Sequence, residues 1–346
     1  MRFDYLVLIG RFQPFHNGHH SVLKHALRLA DKVIVLTGSA GQPRTVRNPF
    51  NAGERAVMIR AAAGEDAGRL LIKPLRDHLY SETLWVGDVQ RLVAETLAED
   101  GASDKAVVGL IGRNKDGETS AYLAAFPQWE LVDVQHTDVL SATELRAWLF
   151  SGEEGGRLMV KANVPEPVFG MLEAFRTSSP AYGQLAREDA FIRTYRQAWA
   201  VAPYPPTFVT ADAVVVHSGH VLLVRRRAEP GRGLWALPGG FVNQNETVLD
   251  AAIRELHEET RLKIPRAVLR GSIKARQVFD HPGRSLRGRT ITHAFHFDFP
   301  AGELPRIRAA DDADQVRWVP VSEAMLMEEQ VFEDHFHILE HFVGAA

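Results

Sequence analysis

The sequence predicts an α/β protein with two domains. In the first half, short apolar segments alternate with amphipathic ones, which is the pattern of a parallel sheet covered by helices on both faces. A predicted helix near 187–200 is followed by APYPPT at 202–207, whose three prolines stop regular structure. Beyond it the chain is rich in strand-forming residues. We predict domains at 1–178 and 207–346, joined by a helical linker at 179–206.

The first domain is predicted from its order of strands and helices. An apolar strand at 5–9 precedes an amphipathic run at 22–30, and further helices are expected from Gly53, from about Leu84 to Leu97 and from Ser120. The other strands are predicted at 32–37, 70–74, 106–111 and 130–134. In such a sheet, ligands bind at the carboxyl ends of the strands.

The loop GRFQPFHNGHH at 10–20 joins the first strand to the first helix. Gly10 and Gly18 let a ligand approach the backbone closely, and His16 and His19 lie at the start of the helix. The free N–H groups and the positive dipole end of a helix N-terminus suit phosphate. The loop is therefore predicted to hold a nucleotide triphosphate.

Two more loops should reach the same edge of the sheet. One follows the strand ending at 111, and the other precedes a helix whose first hydroxyls can cap it and bind phosphate. An arginine three positions beyond the second hydroxyl adds a fixed cation on the same side. The residues are Gly112 and Arg113, in GRNKD at 112–116, and Ser141, Thr143 and Arg146, in SATELR at 141–146.

The patterns GxFxPxHxGH and SxTxxR resemble those of the adenylyltransferases in the nucleotidyltransferase superfamily. The first pattern is matched by Gly10, Phe12, Pro14, His16, Gly18 and His19. The resemblance implies a Rossmann-like nucleotidyltransferase domain that binds ATP. It also implies that His16, His19 and Arg146 act on the phosphates, with Mg²⁺ as the cofactor.

Other segments narrow the resemblance to the archaeal-type nicotinamide mononucleotide (NMN) adenylyltransferases. These are Arg11, the stretch at 38–55, the Leu84–Trp85 pair and the GRNKD loop. The resemblance implies that Arg47 and Trp85 help to hold the substrates, with Trp85 stacked on the nicotinamide ring. Ser81 departs from the family, which often has asparagine there. Because the NMN phosphate is already a nucleophile, the protein needs only to align the substrates and neutralise charge.

The second domain begins with a predicted hairpin. The segments at 209–216 and 220–227 read as its strands, with the turn at 218–219. The run Arg225–Arg227 is interpreted as a strand end with alternating exposure, and one of these arginines stays a candidate ligand for phosphate.

Three glutamates lie at helical spacing further on. On a helix starting near Glu246, Glu255, Glu258 and Glu259 occupy positions i, i+3 and i+4, so they share one face. Three crowded carboxylates repel one another, which suits metal binding better than folding. Hard oxygen ligands indicate Mg²⁺ or Mn²⁺.

The stretch at 239–262 resembles the Nudix box. It matches at Gly240, Glu246, Arg254, Glu255, Leu256, Glu258, Glu259 and Leu262. The resemblance implies an α/β/α Nudix domain with a mixed sheet, in which Glu258 and Glu259 are the main metal ligands, Glu255 assists, and one glutamate is a general base. Arg261 replaces the box glycine, which predicts a different turn or about 1 to 2 kcal/mol of strain.

The segments at 278–297 and 333–339 resemble ADP-ribose-hydrolysing Nudix domains fused to archaeal-type adenylyltransferases. Arg284, Arg287 and Arg289 are the candidate ADP-ribose ligands. Together the resemblances imply a bifunctional enzyme that makes NAD from NMN and ATP, and hydrolyses ADP-ribose to AMP and ribose 5-phosphate. Two alternatives stay open: another phosphate acceptor, such as pantetheine phosphate or a flavin, and a Nudix domain that only senses ADP-ribose.

Composition excludes several classes. The net charge is −3 and the pI is near 6.6, so neither nucleic acid nor a membrane surface is an expected partner. The chain has no cysteine, which excludes disulfides, thiolate catalysis and cysteine metal sites. With no secretory signal pattern, we expect a cytoplasmic protein. A homo-oligomer is compatible with the sequence, which does not fix the oligomeric state.

Overall fold

The computed structural model describes residues 2–112, 124–134, 141–310 and 312–344. The chain divides into two units, Met1–Asp189 (unit 1) and Ala190–Ala346 (unit 2). In the described ranges, none of the helices is both long and apolar enough to span a bilayer. The domain boundaries expected from the sequence remain a prediction.

Unit 1 is built on a parallel sheet of five strands within the described residues, in the order β3-β2-β1-β4-β5. The strands are β1 (Phe3–Gly10), β2 (Ala30–Ala40), β3 (Leu70–Arg76), β4 (Val108–Gly112) and β5 (Glu130–Asp133). Because β1 lies between β2 and β4, the chain direction across the sheet reverses at β1. In open α/β sheets this switch point, at the carboxyl ends, is where ligands bind.

Helices cover this sheet and extend beyond it. Those with bounds in the described residues are α1 (Asn17–Leu29), α2 (Ala52–Ala63), α3 (Glu82–Glu99), α4 (Ala142–Ser151), α5 (Glu154–Asn163), α6 (Glu166–Ser178) and α7 (Pro180–Trp199). A short 3₁₀ helix, Gly64–Arg69, precedes β3. Polar N-caps fix several starts: Asn51 accepts from the Glu54 N–H at 2.9 Å, and Ser141 accepts from the Glu144 N–H at 3.3 Å.

Alternation along β1 explains the two cores of unit 1. Leu6 and Leu8 face α1 and α2, whereas Tyr5 and Val7 face α3. All four side chains are buried. Full burial of an apolar side chain of this kind stabilises the fold by about 1.5 to 3 kcal/mol. Packing helices on both faces of the sheet therefore stabilises unit 1.

Unit 2 contains a mixed sheet, with the described strands in the order β10-β11-β6-β7-β12. The strands are β6 (Thr207–His217), β7 (His220–Arg226), β8 (Trp235–Ala236), β9 (Gly239–Phe241), β10 (Ile273–Phe279), β11 (Arg289–Phe299) and β12 (Ala313–Pro320). The β6–β11 pair is parallel and the other pairs are antiparallel. The hairpin predicted around 218–219 is confirmed by the pair His217–His220.

Helices pack on both faces of this sheet. They are α8 (Val248–Thr260), α9 (Arg266–Gly271), α10 (Val321–Ala324) and α11 (His335–Val343), with a 3₁₀ turn at Glu328–Gln330. Ala213 and Val215 of β6 pack with α8, and Val214 between them packs with α11. The sheet is therefore a layer between helices, as the fold class predicted.

The predicted elements are confirmed with small shifts. The helix that carries the three glutamates, α8, is expected from the sequence to start near Glu246. It starts at Val248 because Thr247 is its N-cap and accepts from the Asp250 N–H at 3.2 Å. The helix predicted from Ser120 begins outside the described residues.

Candidate active sites

The loop at 10–20 starts α1 with an unusual cap. Nδ1 of His16 accepts from the Gly18 N–H at 3.1 Å, and Nδ1 of His19 accepts from the His16 N–H at 3.4 Å. The two rings are stacked, with centroids 3.7 Å apart. An imidazole nitrogen that accepts carries no proton, so this arrangement assigns the proton of each ring to Nε2. Both rings are thus held as Nε2–H donors at a helix N-terminus.

The glycines of this loop lie where a larger residue would crowd a neighbouring ring. A Cβ at Gly10 would lie 2.8 Å from the ring of Phe12, and one at Gly18 would lie 3.0 Å from the ring of His16. Phe12 itself has φ of 52° and is buried, with its ring 4.9 Å from that of His19. The ring of Phe12 therefore packs against the ring of His19.

Arg146 enters the site from α4. Its Nη1 donates to the carbonyl of Gln13 at 2.8 Å, and its Nη2 donates to the hydroxyl of Thr143 at 3.1 Å. Burial, together with the smaller effect of the positive charges of Arg11 and Arg47, lowers the pKa of Arg146 to about 10. At neutral pH the group stays cationic, so three arginines concentrate positive charge where the phosphates are expected.

Two residues that sequence reasoning missed hold this edge together. Gln13 bonds Phe50 twice: its Nε2 donates to the carbonyl at 2.7 Å and its Oε1 accepts from the N–H at 3.0 Å. Arg55 is fully buried and donates to the carbonyls of Arg11 and Gly38. Burial lowers the pKa of Arg55 to about 10. Both lie in the stretches quoted above, but only the fold reveals their partners.

The residues predicted to hold the phosphate acceptor, NMN, lie in two segments of unit 1. Arg47 lies in a reverse turn at 45–48 and is half-buried. Trp85 lies in the first turn of α3, half-buried, with its ring 6.0 Å from that of Phe126. Ser81 is the N-cap of α3 and accepts from the Leu84 N–H at 3.4 Å, a task that asparagine performs equally well.

The remaining predicted residues of unit 1 are only partly described. Gly112 ends β4, Ser141 caps α4, and Thr143 bonds Arg146. Arg113 lies outside the described residues, as do Lys115 and Asp116.

In unit 2, Glu259 is buried in the wall of a cavity of about 280 Å³. One oxygen accepts from the Gly239 N–H at 3.1 Å. Burial, together with the smaller effect of the negative charge of Glu255, raises the pKa of Glu259 to about 8. A Cβ at Gly240 would lie 2.4 Å from a carboxylate oxygen of Glu255, so this box glycine makes room for that side chain.

Arg254 organises the other glutamates. Its Nη1 donates to Glu255 at 2.8 Å and to Glu258 at 2.9 Å, and its Nη2 donates to Glu246 at 2.7 Å. These bonds hold the pKa of Glu246 at about 2. Within the described residues, no three acidic or histidine side chains are already grouped as metal ligands. The metal role of Glu255, Glu258 and Glu259 therefore stays a prediction.

The three arginines expected to bind ADP-ribose lie in different environments. Arg284 lines the cavity but is bound to Asp334 through two hydrogen bonds of 2.8 Å, and the side chains are 2% and 0% exposed. Arg287 also lines the cavity, 5.3 Å from the ring centre of Phe241. Arg289 bonds the carbonyl of Asp280 and is not among the described residues that line the cavity.

Two arginines of the run at 225–227, Arg227 and Arg226, line the cavity, and Arg226 is the one that packs on an aromatic ring. Its guanidinium lies 4.1 Å from the ring centre of Phe332, and its Nε donates to the carbonyl of Pro230 at 2.9 Å. Burial lowers its pKa, as does the charge of Arg287. Arg226 and Arg287 therefore line the same cavity as Glu255 and Glu259, which is a set of charges suited to a diphosphate.

Arg261 takes the place and the conformation of the box glycine. It ends α8 with φ of 52° and ψ of 26°, in the left-handed region. The backbone turn is therefore retained, and the strain expected from the sequence is the consequence.

Comparisons with known proteins agree with both units. The Cytidylyltransferase-like family matches residues 7–146, and the NUDIX domain family matches residues 206–342. The nicotinamide/nicotinic acid mononucleotide adenylyltransferase of Acinetobacter baylyi is 36% identical over 189 residues, covering 54% of this chain and 94% of that protein. The nicotinamide-nucleotide adenylyltransferase of Archaeoglobus fulgidus is 43% identical over 91 residues, covering 25% of this chain and about half of its own, 52%.

A solved structure that covers nearly the whole chain agrees with this pairing of units. It is a bifunctional NMN adenylyltransferase/ADP ribose pyrophosphatase from Francisella tularensis, in complex with AMP and a Mn ion. It is 33% identical, has a TM-score of 0.88 and covers 99% of each chain.

The fold and the two sites define a fusion of a nucleotidyltransferase domain with a Nudix hydrolase domain. More narrowly, the chain belongs to the family of the bifunctional NMN adenylyltransferase/ADP ribose pyrophosphatases.

Proposed function

We propose that unit 1 transfers AMP from ATP to NMN, producing NAD and pyrophosphate. The observation that carries the proposal is the pair of stacked imidazoles, His16 and His19, fixed as Nε2–H donors at the switch point of the sheet. The Acinetobacter and Francisella relatives are both mononucleotide adenylyltransferases of the nicotinamide type, which supports NMN as the acceptor.

The proposed reaction needs alignment and charge stabilisation. A phosphate oxygen of NMN attacks the α-phosphorus of ATP, the bond to the β-phosphate oxygen breaks, and pyrophosphate leaves with both electrons of that bond. His16, His19 and Arg146 would hold the triphosphate, and Arg11 and Arg47 would add positive charge. Each contact that strengthens in the transition state contributes about 2.7 to 4 kcal/mol. Mg²⁺ would enter with ATP as part of the substrate.

We further propose that unit 2 hydrolyses ADP-ribose to AMP and ribose 5-phosphate. Water attacks one phosphorus of the diphosphate, and the bridging P–O bond breaks. The cavity supports this reaction because Arg226 and Arg287 line it together with Glu255 and Glu259. The AMP bound in the Francisella structure supports the same product.

The carboxylates of α8 fit a divalent cation by their chemistry. Glu255, Glu258 and Glu259 supply hard oxygen atoms. Because burial disfavours the charged form of Glu259, a bound cation would stabilise that carboxylate. When bound, Mg²⁺ or Mn²⁺ would neutralise diphosphate charge. One of the three glutamates would take the proton from the attacking water, while Arg254 holds Glu255 and Glu258 in place.

A product assay tests both proposals. Pyrophosphate release is measured with ATP and each of NMN, nicotinic acid mononucleotide, pantetheine phosphate and flavin mononucleotide. We expect the nicotinamide nucleotide to give the highest kcat/KM, and a higher value with either of the last two would refute the assignment. AMP release from ADP-ribose is compared between wild type and E258Q, with either metal. Equal background release from both would favour an ADP-ribose sensor.

A further inference from the structure

We propose that Glu188, on α7, is a positioning residue for the first site, because it anchors the turn that carries Arg47. The inference rests on the proposed adenylyl transfer and extends it to a residue more than 40 positions beyond the last motif, SATELR at 141–146.

The turn at 45–48 is closed by its own backbone. The Thr45 N–H donates to the Asn48 carbonyl at 3.3 Å, and the Asn48 N–H donates back to the Thr45 carbonyl at 3.0 Å. The Thr45 hydroxyl also accepts from the Asn48 N–H at 3.2 Å. Val46 and Arg47 therefore form the tip of a closed turn.

Glu188 binds this tip across 142 residues of sequence. The Val46 N–H donates to Oε1 of Glu188 at 3.3 Å. Glu188 is 2% exposed, so the bond is shielded from water, and a buried carboxylate is costly to leave without donors. Val46 also packs against the apolar core of unit 1. Val46, the residue before Arg47, is thus held by a polar and an apolar contact.

The position of Val46 matters because the next residue, Arg47, lies within electrostatic range of Arg146. The charge of Arg47 contributes to the lowered pKa of Arg146, after burial and Arg11. Arg146 is in turn bonded to the histidine loop through the Gln13 carbonyl. A misplacement of about 1 Å can cost a factor of about 100 in rate, so a loose turn would weaken the contact of Arg47 with substrate.

The experiment compares E188M, which keeps the volume but has no acceptor, with E188Q, which keeps an oxygen for the Val46 N–H. R47A first identifies the substrate, NMN or ATP, whose KM depends on Arg47. We expect E188M to raise the KM of that same substrate about tenfold with kcat within twofold, and E188Q to stay within threefold of wild type. ADP-ribose hydrolysis should be unchanged in every variant. Should E188M not fold, E188D takes its place, since its carboxylate falls one methylene short of Val46.

The double variant E188M/R47A separates positioning from a general loss of structure. If Glu188 acts through Arg47, the double variant has the KM of R47A alone, whereas additive effects would overturn the proposal. Amide hydrogen exchange of a peptide covering 44–48 gives a readout without catalysis. Exchange should be faster in E188M than in E188Q, and equal rates would also overturn the proposal. A wild-type chain that forms no dinucleotide would instead refute the proposed function, and the exchange comparison would still decide the anchor.

Discussion

The ion pair between Arg284 and Asp334 should be a structural element of unit 2, and breaking it should be costly. The two side chains are 2% and 0% exposed and share two hydrogen bonds of 2.8 Å. D334A leaves a buried guanidinium without its carboxylate, which costs about 3 to 5 kcal/mol. For a unit of this size, that loss lowers the unfolding temperature by about 6 to 20 °C.

The double variant R284M/D334L removes both charges and keeps apolar volume. Replacing a buried pair in this way is often neutral, so we expect stability within about 1 to 2 kcal/mol of wild type. Urea titrations followed by hydrogen exchange of peptides from β6 and β11 report on unit 2 alone. If D334A were as stable as wild type, or if the double variant were as unstable as D334A, the reasoning would be wrong.

The same variants decide whether Arg284 also binds ADP-ribose. Because Asp334 already occupies two of its donors, we expect the KM of R284M/D334L for ADP-ribose to stay within threefold of wild type. A rise of more than tenfold would assign Arg284 to the substrate, as the sequence suggested.

Three further predictions follow from other contacts. H19A should lower kcat/KM for pyrophosphate release about 100- to 1,000-fold through loss of a phosphate donor, while H25A on the same helix should not; equal values would remove His19 from the site. R261G should raise the free energy of unfolding by about 0.5 to 1 kcal/mol by relieving positive-φ strain, and R261A, which keeps the strain, should not match that gain in urea titrations. The folded-state pKa of Glu259, about 8, exceeds its ordinary value of 4.5. Its contribution to stability is therefore complete below pH 4.5 and is lost as pH rises towards 8. The metal-free protein in EDTA should lose up to about 1.4 kcal/mol per pH unit in this window, and an unchanged slope in E259Q would contradict this origin.

Local sequence signals predicted much of the fold and part of the sites. The start of α1 was predictable because its cause lies within a few residues. The glutamate spacing on α8 was predictable for the same reason, although Arg254 as the partner of Glu255 and Glu258 required coordinates. At Arg261 the sequence left open a different turn or strain, and the left-handed φ of 52° decides for the strained residue.

Long-range partners were not predictable. Asp334 pairs with Arg284 across 50 residues, and Gln13 bonds Phe50 across 37. A pattern within one segment carries no information about which distant carboxylate or carbonyl will meet it. Arg289 shows the converse, since it stands beside two cavity arginines in sequence and yet bonds Asp280.

The contacts of Gln13 and Arg55 also constrain how the acceptor preference of such an enzyme could be changed. Gln13, within the histidine loop, is bonded to both backbone groups of Phe50, and Arg55 joins the carbonyls of Arg11 and Gly38. A loop transplanted at 38–51 from an enzyme with another acceptor would thus arrive with different lengths and angles at both joints. A change in the segment at 38–51 would therefore disturb the loop at 10–20, so these two segments are best exchanged together.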